Sequence, residues 1–197
     1  MKHRCNTISD LDFLDRTWGV EIDLRSELAS AGKLHLSHDA WIRGEDFERW
    51  LSVYSTRKQE GPLILNTKED GLESRILELV RNAGIKNYFF LDTALPTLIK
   101  WSTRENLRAF AVRWSNYEPA EFVQKFAGLC DWVWVDCFGG VAPPETVVRE
   151  LTSAFKVCLV SPELQTGDAA MISEFLSLKK IGLAAVCTKQ PQAWLTE

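Results

Sequence analysis

Several features that define other protein classes are missing from this sequence. It has only five cysteines in 197 residues, none of them in a C-x-x-C pair, which favours a reducing compartment over a disulfide framework. No apolar stretch is long enough to span a membrane, and no apolar signal region follows the basic N-terminal residues. The formal net charge is -4, so a general nucleic-acid-binding surface is not expected. We therefore expect a cytoplasmic protein without a membrane span or a nucleic-acid partner.

What the sequence does contain is a regular alternation of short apolar runs and amphipathic stretches, which predicts parallel strands joined by crossover helices. Eight strands in this order predict an α/β protein with a single domain over residues 1–197, folded as a compact (β/α)8 TIM barrel. A doubly wound open sheet is the alternative, but the Gly-rich turn typical of its first strand is absent. The predicted strands cover residues 3–4, 19–24, 63–68, 87–92, 108–113, 132–136, 156–160 and 183–187. Helices are predicted over residues 9–16, 45–54, 76–84, 96–101, 119–126, 144–155 and 169–178.

The second predicted strand carries two carboxylates among apolar neighbours. Glu21 and Asp23 lie at positions i and i+2, so their side chains point to the same side of an extended chain. Charged groups in a buried strand require a partner or a metal ion. Carboxylate oxygens are the ligands that hard divalent cations prefer. The pair therefore predicts a site for one divalent cation.

Histidines lie on either side of this pair in the sequence. His3 precedes it and His38 follows it, and two histidines beside a metal site can act as general acid and general base. That combination is the equipment needed to hydrolyse a phosphodiester at neutral pH. The third histidine, His35, belongs to no motif, and we interpret it as a surface residue of a short extended segment over residues 33–37.

Further polar residues recur at the carboxyl ends of the predicted strands, which is where the active site of a barrel lies. Arg4, Lys68 and Arg113 end the first, third and fifth strands, and Lys189 is a further cation after the eighth. Together with a metal ion, such cations suit a phosphate group. Asp92 ends the fourth strand, and we interpret it as a turn cap or an exposed residue.

Taken in order, these motifs resemble the glycerophosphodiester phosphodiesterase family, a group of phospholipase-C-like phosphodiesterase TIM barrels. The pairs H-R at 3–4 and H-D at 38–39, with E-x-D at 21–23 between them, resemble its N-terminal signature. The segment N-T-K at 66–68 is similar to its carboxylate-x-Lys element on the third strand. The longer segments G-V-E-I-D-L-R, L-S-H-D and V-S-P-E-L resemble a group of short bacterial members.

The resemblance implies a hydrolase of phosphoric diesters that acts on a small glycerophosphodiester, a substrate class of lipid metabolism. It implies Mg²⁺ or Ca²⁺ as the one divalent cation. The implied roles are catalysis for His3 and His38, phosphate binding for Arg4 and Lys68, and metal binding for Glu21 and Asp23.

Two departures from the family pattern concern the site. The third acidic ligand that the family usually places on the third strand is Asn66 here, although an amide oxygen can still bind a hard cation. The usual Pro-Glu-Asn segment after H-R is also absent, while Asn6 remains near His3 in sequence.

Two functions from different classes follow. The first is metal-dependent hydrolysis of a glycerophosphodiester-like substrate, with His3 and His38 as acid and base and with Glu21, Asp23 and Asn66 around the metal. The second is a catalytically weak or inactive barrel that binds a sugar phosphate or a related phosphorylated ligand, and Asn66 is the feature that motivates it. The sequence leaves the oligomeric state open.

Overall fold

The computed structural model describes residues 1–27 and 32–195. The chain divides into two compact units, Lys2–Leu98 and Ile99–Glu197, and Met1 joins the second of them. Both units contain parallel strands that alternate with helices, as the sequence predicts, and the first unit adds two antiparallel strands.

The first unit contains a five-stranded sheet, of which three neighbouring strands are parallel. Its strands are β1 (Val20–Ser26), β2 (Leu34–Leu36), β3 (Glu45–Asp46), β4 (Leu63–Thr67) and β5 (Tyr88–Leu91). The order is β3-β2-β1-β4-β5, with β1, β4 and β5 parallel and with β2 and β3 antiparallel to their neighbours. Because β4 is buried at every position, its apolar run without alternation is typical of a parallel strand covered on both faces.

Helices α1 (Phe47–Arg57), α2 (Glu73–Asn82) and α3 (Leu95–Arg104) follow strands of this sheet. The predicted apolar spacing of α1 is confirmed, because Phe47, Trp50, Leu51 and Tyr54 are its buried residues. The side chain of Asp46 caps its first turn by accepting a hydrogen bond from the backbone nitrogen of Arg49. Trp50 and Tyr54 stack one turn apart, with ring centroids at 4.9 Å, so an apolar stripe anchors this helix.

A pair of glycines allows β1 and β4 to begin side by side. A Cβ on Gly19 would stand 2.2 Å from the carbonyl oxygen of Pro62, and one on Gly61 would stand 2.1 Å from the backbone nitrogen of Gly19. Both obstacles are backbone atoms, which cannot rotate out of the way. Only glycine at both positions keeps the two strand entrances this close.

The second unit contains a four-stranded parallel sheet. Its strands are β6 (Ala111–Trp114), β7 (Trp132–Val135), β8 (Lys156–Val160) and β9 (Ala185–Cys187), in that order across the sheet. Its α-helices are α4 (Ala120–Gln124), α5 (Glu145–Ala154), α6 (Glu163–Thr166) and α7 (Ile172–Phe175). Short 3₁₀ helices cover Phe138–Gly140, Ala169–Met171, Leu176–Ile181 and Pro191–Trp194.

Three predicted elements differ from the observed ones. The first strand is reduced to a bridge between Lys2 and Val20, because Arg4 adopts a left-handed φ of 54° that ends the extended run. The predicted helix over residues 9–16 is a 3₁₀ helix, Ile8–Leu11, since Phe13 is 91% exposed and packs against no core.

The predicted helix over residues 169–178 is broken into 3₁₀ and α segments. Its buried residues, Ile172, Phe175 and Leu178, recur at every third position, which matches the repeat of a 3₁₀ helix better than that of an α-helix. Within residues 1–27 and 32–195, no helix is long and apolar enough to cross a membrane.

Candidate functional site

The two carboxylates of β1 lie buried on one face of the first unit's sheet. Glu21 is 1% exposed and Asp23 is not exposed at all. The parallel register places Asp23 opposite Asn66 of β4, so the three side chains predicted around a metal ion come from adjacent strands. Their positions follow from the strand period of two and from the register.

Glu21 is held by groups from two directions. Its Oε2 accepts a hydrogen bond of 2.8 Å from the backbone nitrogen of Arg4, and its Oε1 accepts one of 2.9 Å from Nδ2 of Asn66. His3 Nε2 lies 3.7 Å from Oε2 of the same carboxylate, and the His3 side chain is 16% exposed. The left-handed turn at Arg4 therefore brings a histidine and a backbone donor to one buried carboxylate.

Asp23 is held by different partners. Lys68 Nζ lies 3.0 Å from Oδ1, and Arg4 Nε lies 4.0 Å from Oδ2. Asn6 pairs with Asp23 twice, donating from Nδ2 to Oδ2 at 2.8 Å and accepting from the Asp23 backbone nitrogen at 2.9 Å. This double hydrogen bond fixes the carboxylate's position, and the sequence points to it only through the nearness of Asn6 to His3.

Asp92, which the sequence indicates as a turn cap or an exposed residue, also contacts Lys68. It follows β5 in a left-handed conformation with φ of 57°, and its Oδ2 lies 3.9 Å from Nζ of Lys68. Lys68 therefore stands between two carboxylates, one from β1 and one from the end of β5. Parallel strands bring their carboxyl ends to one edge of a sheet, which is the signal that could have suggested this contact.

The pKa of the Glu21 carboxyl group is raised by its burial and by the nearby Asp23. Loss of hydration, together with the negative charge of Asp23, raises the pKa of Glu21 to about 7, against the stabilising effect of the hydrogen bonds from Asn66 and Arg4. Two buried carboxylates this close favour either a shared proton or a bound cation. A cation bound beside Glu21 would therefore displace a proton near neutral pH.

The oxygen atoms around this pair fit a hard cation. Asn66 is 7% exposed, and its Oδ1 has no hydrogen-bond partner within the residues that the structure describes. A buried amide oxygen without a partner is unfavourable unless a ligand reaches it. Across the described parts of the chain, no group of three or more His, Cys, Asp or Glu side chains could hold a metal ion. The oxygen donors that could hold such a cation are therefore two carboxylates and one amide, those of Glu21, Asp23 and Asn66.

His38 lies at the edge of this arrangement. Its Nδ1 is 2.7 Å from Oδ1 of Asp39, and its side chain is 41% exposed. The segment that carries it is tied to β1, because the backbone nitrogen of Ser37 donates to the carbonyl of Asp23 at 3.0 Å and Arg25 Nη2 donates to the carbonyl of His38 at 2.9 Å. The carboxylate of Asp39 fixes which ring nitrogen carries the proton.

Arg113, predicted to bind substrate, belongs to the second unit. It lies on β6, and its Nη1 forms an ion pair with Oδ2 of Asp136. Gln165 Nε2 donates to the other oxygen of Asp136 at 2.9 Å. The first unit brings together His3, Arg4, Glu21, Asp23, Asn66 and Lys68, whereas the role of Arg113 stays a prediction.

Asn66→Asp is expected to tighten Mg²⁺ binding about tenfold at pH 8, because a third carboxylate adds ligand charge. Asn66→Ala, which removes the unpartnered oxygen, is expected to weaken binding instead. Isothermal calorimetry with MgCl₂ measures both constants, and Asn87→Asp, at an exposed residue whose side chain donates to the Glu60 carbonyl, is the surface control. Equal Mg²⁺ affinities for the wild type and both Asn66 variants would show that Asn66 does not bind the metal ion.

Two solved structures of other proteins resemble the fold of this chain. No family model matches the sequence, and no curated protein matches it. A candidate glycerophosphodiester phosphodiesterase from Galdieria sulphuraria is 14% identical with a TM-score of 0.67, over 90% of this chain and 84% of its own. A phosphodiesterase from Oleispira antarctica, in complex with its product sn-glycerol-3-phosphate, is 16% identical with a TM-score of 0.68, over 98% of this chain and 93% of its own.

These two structures confirm the predicted fold class. Both align with nearly all of this chain, so its alternating strands and helices have the (β/α)8 TIM-barrel fold expected from the family resemblance. A single domain over residues 1–197 stays a prediction.

Proposed function

We propose that this protein is a phosphodiesterase that hydrolyses a small glycerophosphodiester-like substrate. The observation that carries the proposal is the cluster around Glu21 and Asp23 of β1, where one buried carboxylate faces a histidine and the next faces a lysine. The shared fold of the two phosphodiesterases supports it, because a barrel places its chemistry at the carboxyl ends of its strands, and Asn66 and Lys68 of the cluster lie at that end of β4.

Each residue of the cluster has a separate role in the proposed reaction. Arg4 and Lys68 supply positive charge for the phosphoryl oxygens, on which negative charge grows in the transition state. One of His3 and His38 takes the proton of the nucleophile, and the other gives a proton to the leaving alkoxide. Asn6 holds Asp23 in place through its two hydrogen bonds.

Glu21, Asp23 and Asn66 are the residues that would hold Mg²⁺ or Ca²⁺. Such a cation, when bound, polarises a phosphoryl oxygen and lowers the pKa of a hydroxyl or water. The raised pKa of Glu21 and the unpartnered Oδ1 of Asn66 support this donor set. The compartment in which the protein works, predicted to be the cytoplasm, stays a prediction.

Bis(p-nitrophenyl) phosphate is the first substrate to use, because cleavage of either ester releases a coloured product. Release of p-nitrophenol is expected with Mg²⁺ or Ca²⁺ and is expected to stop with a chelator. Spectrophotometry at pH 8 measures it, and Asn87→Asp, remote from the cluster, is the control protein. Activity that persists in a chelator would remove the metal from the proposal, while leaving the phosphodiesterase itself.

A second function has one specific observation in its favour. The acid that the family usually places on the third strand is an amide here, which lowers the negative charge around the cation. A barrel that binds a sugar phosphate without turnover would show a thermal shift with sn-glycerol 3-phosphate and no hydrolysis of any diester. That combination of results would favour binding over catalysis.

A further inference from the structure

A cavity of about 310 Å³ opens in the first unit beside the carboxyl end of β1. Arg25 of β1 and His35 of β2 line it on the side of the sheet, and the loop that carries Trp41 forms one wall. A volume of this size is at the lower end of the range for small-molecule sites. The function proposed above uses none of these side chains.

Two buried nitrogen atoms of this cavity have unmet hydrogen bonds. Arg25 Nε and His35 Nδ1 have no hydrogen-bond partner among the described residues. The two residues face each other in the β1–β2 register, so their side chains lie on the same face of the sheet. Buried polar atoms without partners are rare because they are costly. Both residues line the same cavity, which favours a ligand that bears hydrogen-bonding groups.

The charges that line the cavity cancel in pairs. Arg25 Nη1 lies 3.6 Å from Oε1 of Glu69, and Arg43 Nε lies 3.1 Å from Oε2 of Glu27. No surplus positive charge is left for a second phosphate, and no surplus negative charge is left for an ammonium group. The cavity nevertheless offers both donors and acceptors, since guanidinium groups donate and carboxylates accept. A neutral ligand with several hydroxyl groups matches this lining.

The wall of the cavity is apolar and exposed. Trp41 is 93% exposed and Ile42 is 57% exposed, although both side chains are apolar enough to prefer burial. Trp41 also has a φ of 67°, an unfavourable conformation for a bulky residue that persists mostly where it serves a function. A flat indole face suits the C–H face of a ring whose edge carries hydroxyls.

We propose that this cavity is a subsite for an uncharged, hydroxyl-rich ring, such as a sugar or a cyclitol, carried as one alcohol of the phosphodiester. Arg25 follows Asp23 on the same face of β1, and its Nη2 donates to the carbonyl of His38. A ring in the cavity therefore lies next to the proposed catalytic cluster. The inference rests on the proposed phosphodiesterase function and names the substrate class within it.

Two substrates that differ in one alcohol test the subsite. Glycerophosphoinositol carries a neutral polyol ring, whereas glycerophosphoethanolamine carries a small cation. We expect the KM of the wild-type enzyme to be about tenfold lower for the inositol diester, as stacking and hydrogen bonding to a ring would give. Trp41→Ala and His35→Ala are each expected to remove most of that difference by raising the KM for the inositol diester, with kcat changed less than twofold.

Phe13→Ala is the matched control, because Phe13 is an equally exposed aromatic residue that does not line this cavity. It is expected to keep the tenfold preference. Equal KM values for the two diesters in the wild type would overturn the subsite, as would a Trp41→Ala variant that raises both KM values alike. A Trp41→Ala variant that alters only the oligomeric state would also overturn it, by assigning this wall to a protein interface.

A binding measurement separates failure of the subsite from failure of the proposed function. Saturation-transfer NMR with glycerophosphoinositol reports contact with the ring protons whether or not the diester is cleaved. A ring signal that is present in the wild type and lost in Trp41→Ala supports the subsite even if no diester is hydrolysed, and in that case only the catalytic proposal fails. Hydrolysis of both diesters without a ring signal overturns the subsite alone.

Discussion

His3→Ala is expected to lower kcat for a phosphodiester about a thousandfold, which is within the range for loss of a positioned general acid or base. The His3 side chain is mostly shielded from solvent and lies 3.7 Å from Glu21, so water cannot readily replace it in a fixed position. Stopped or continuous assay of p-nitrophenol release at saturating substrate measures the change. KM is expected to change little, because the proton transfer belongs to the transition state and not to binding.

The variant must be shown to keep its fold and its cation. Thermal unfolding and Mg²⁺ calorimetry of His3→Ala are expected to match the wild type within experimental error. His38→Ala provides the parallel test, and a similar loss of kcat is expected. Full activity of both histidine variants would reject the acid–base roles while leaving the metal and phosphate contacts in place.

In the absence of divalent cations, the free energy of unfolding is expected to fall by about 3 kcal/mol between pH 4.5 and 7 through Glu21 alone. The pKa of Glu21 is raised from 4.5 to about 7 in the folded protein. Below pH 4.5 both folded and unfolded chains hold the proton, so the full stability is present. As the pH rises, the unfolded chain releases its proton first, and the loss levels off above pH 7.

Urea unfolding in EDTA across this pH range measures the effect as the difference between wild type and Glu21→Gln. The glutamine variant does not titrate, so its stability is expected to lack this decline. Glu60→Gln is the control, because Glu60 is an exposed carboxylate with a side chain 61% exposed. Identical pH profiles for wild type and Glu21→Gln would show that the carboxylate is not buried as described.

Binding of Mg²⁺ is expected to be linked to the same protonation of Glu21. Because Mg²⁺ must displace the proton from Glu21, its apparent affinity is expected to weaken about tenfold for each pH unit below 7. Added Mg²⁺ is accordingly expected to restore at pH 8 the stability that EDTA removes.

Much of the fold follows from the sequence, because its signals are local. Apolar runs such as Leu63–Thr67 and the Phe47–Tyr54 spacing predict their strand and helix within two or three residues. The errors lie where a tertiary feature decides. The first predicted strand ends after a single bridge, because Arg4 adopts a left-handed conformation in which its backbone nitrogen donates a hydrogen bond to Glu21. No local sequence pattern predicts that hydrogen bond.

The candidate site divides in the same way. The E-x-D spacing indicates that Glu21 and Asp23 share a face, and parallel pairing brings Asn66 beside them. The contacts between distant segments could not be predicted from the sequence. The two hydrogen bonds between Asn6 and Asp23, and the approach of Asp92 to Lys68, depend on side-chain directions that the whole sheet sets. His35 is the clearest case: interpreted as a surface residue, it is a half-buried cavity residue.

The glycine pair at the entrances of β1 and β4 has a genetic consequence. Every missense change in either codon introduces at least a Cβ, and at both positions that atom meets backbone at 2.1–2.2 Å. Alleles at Gly19 and Gly61 would therefore fail through low protein abundance, although neither glycine belongs to the proposed catalytic cluster. In a screen for null mutations they would form a second group beside the histidine alleles, distinguished by immunoblot and not by phenotype.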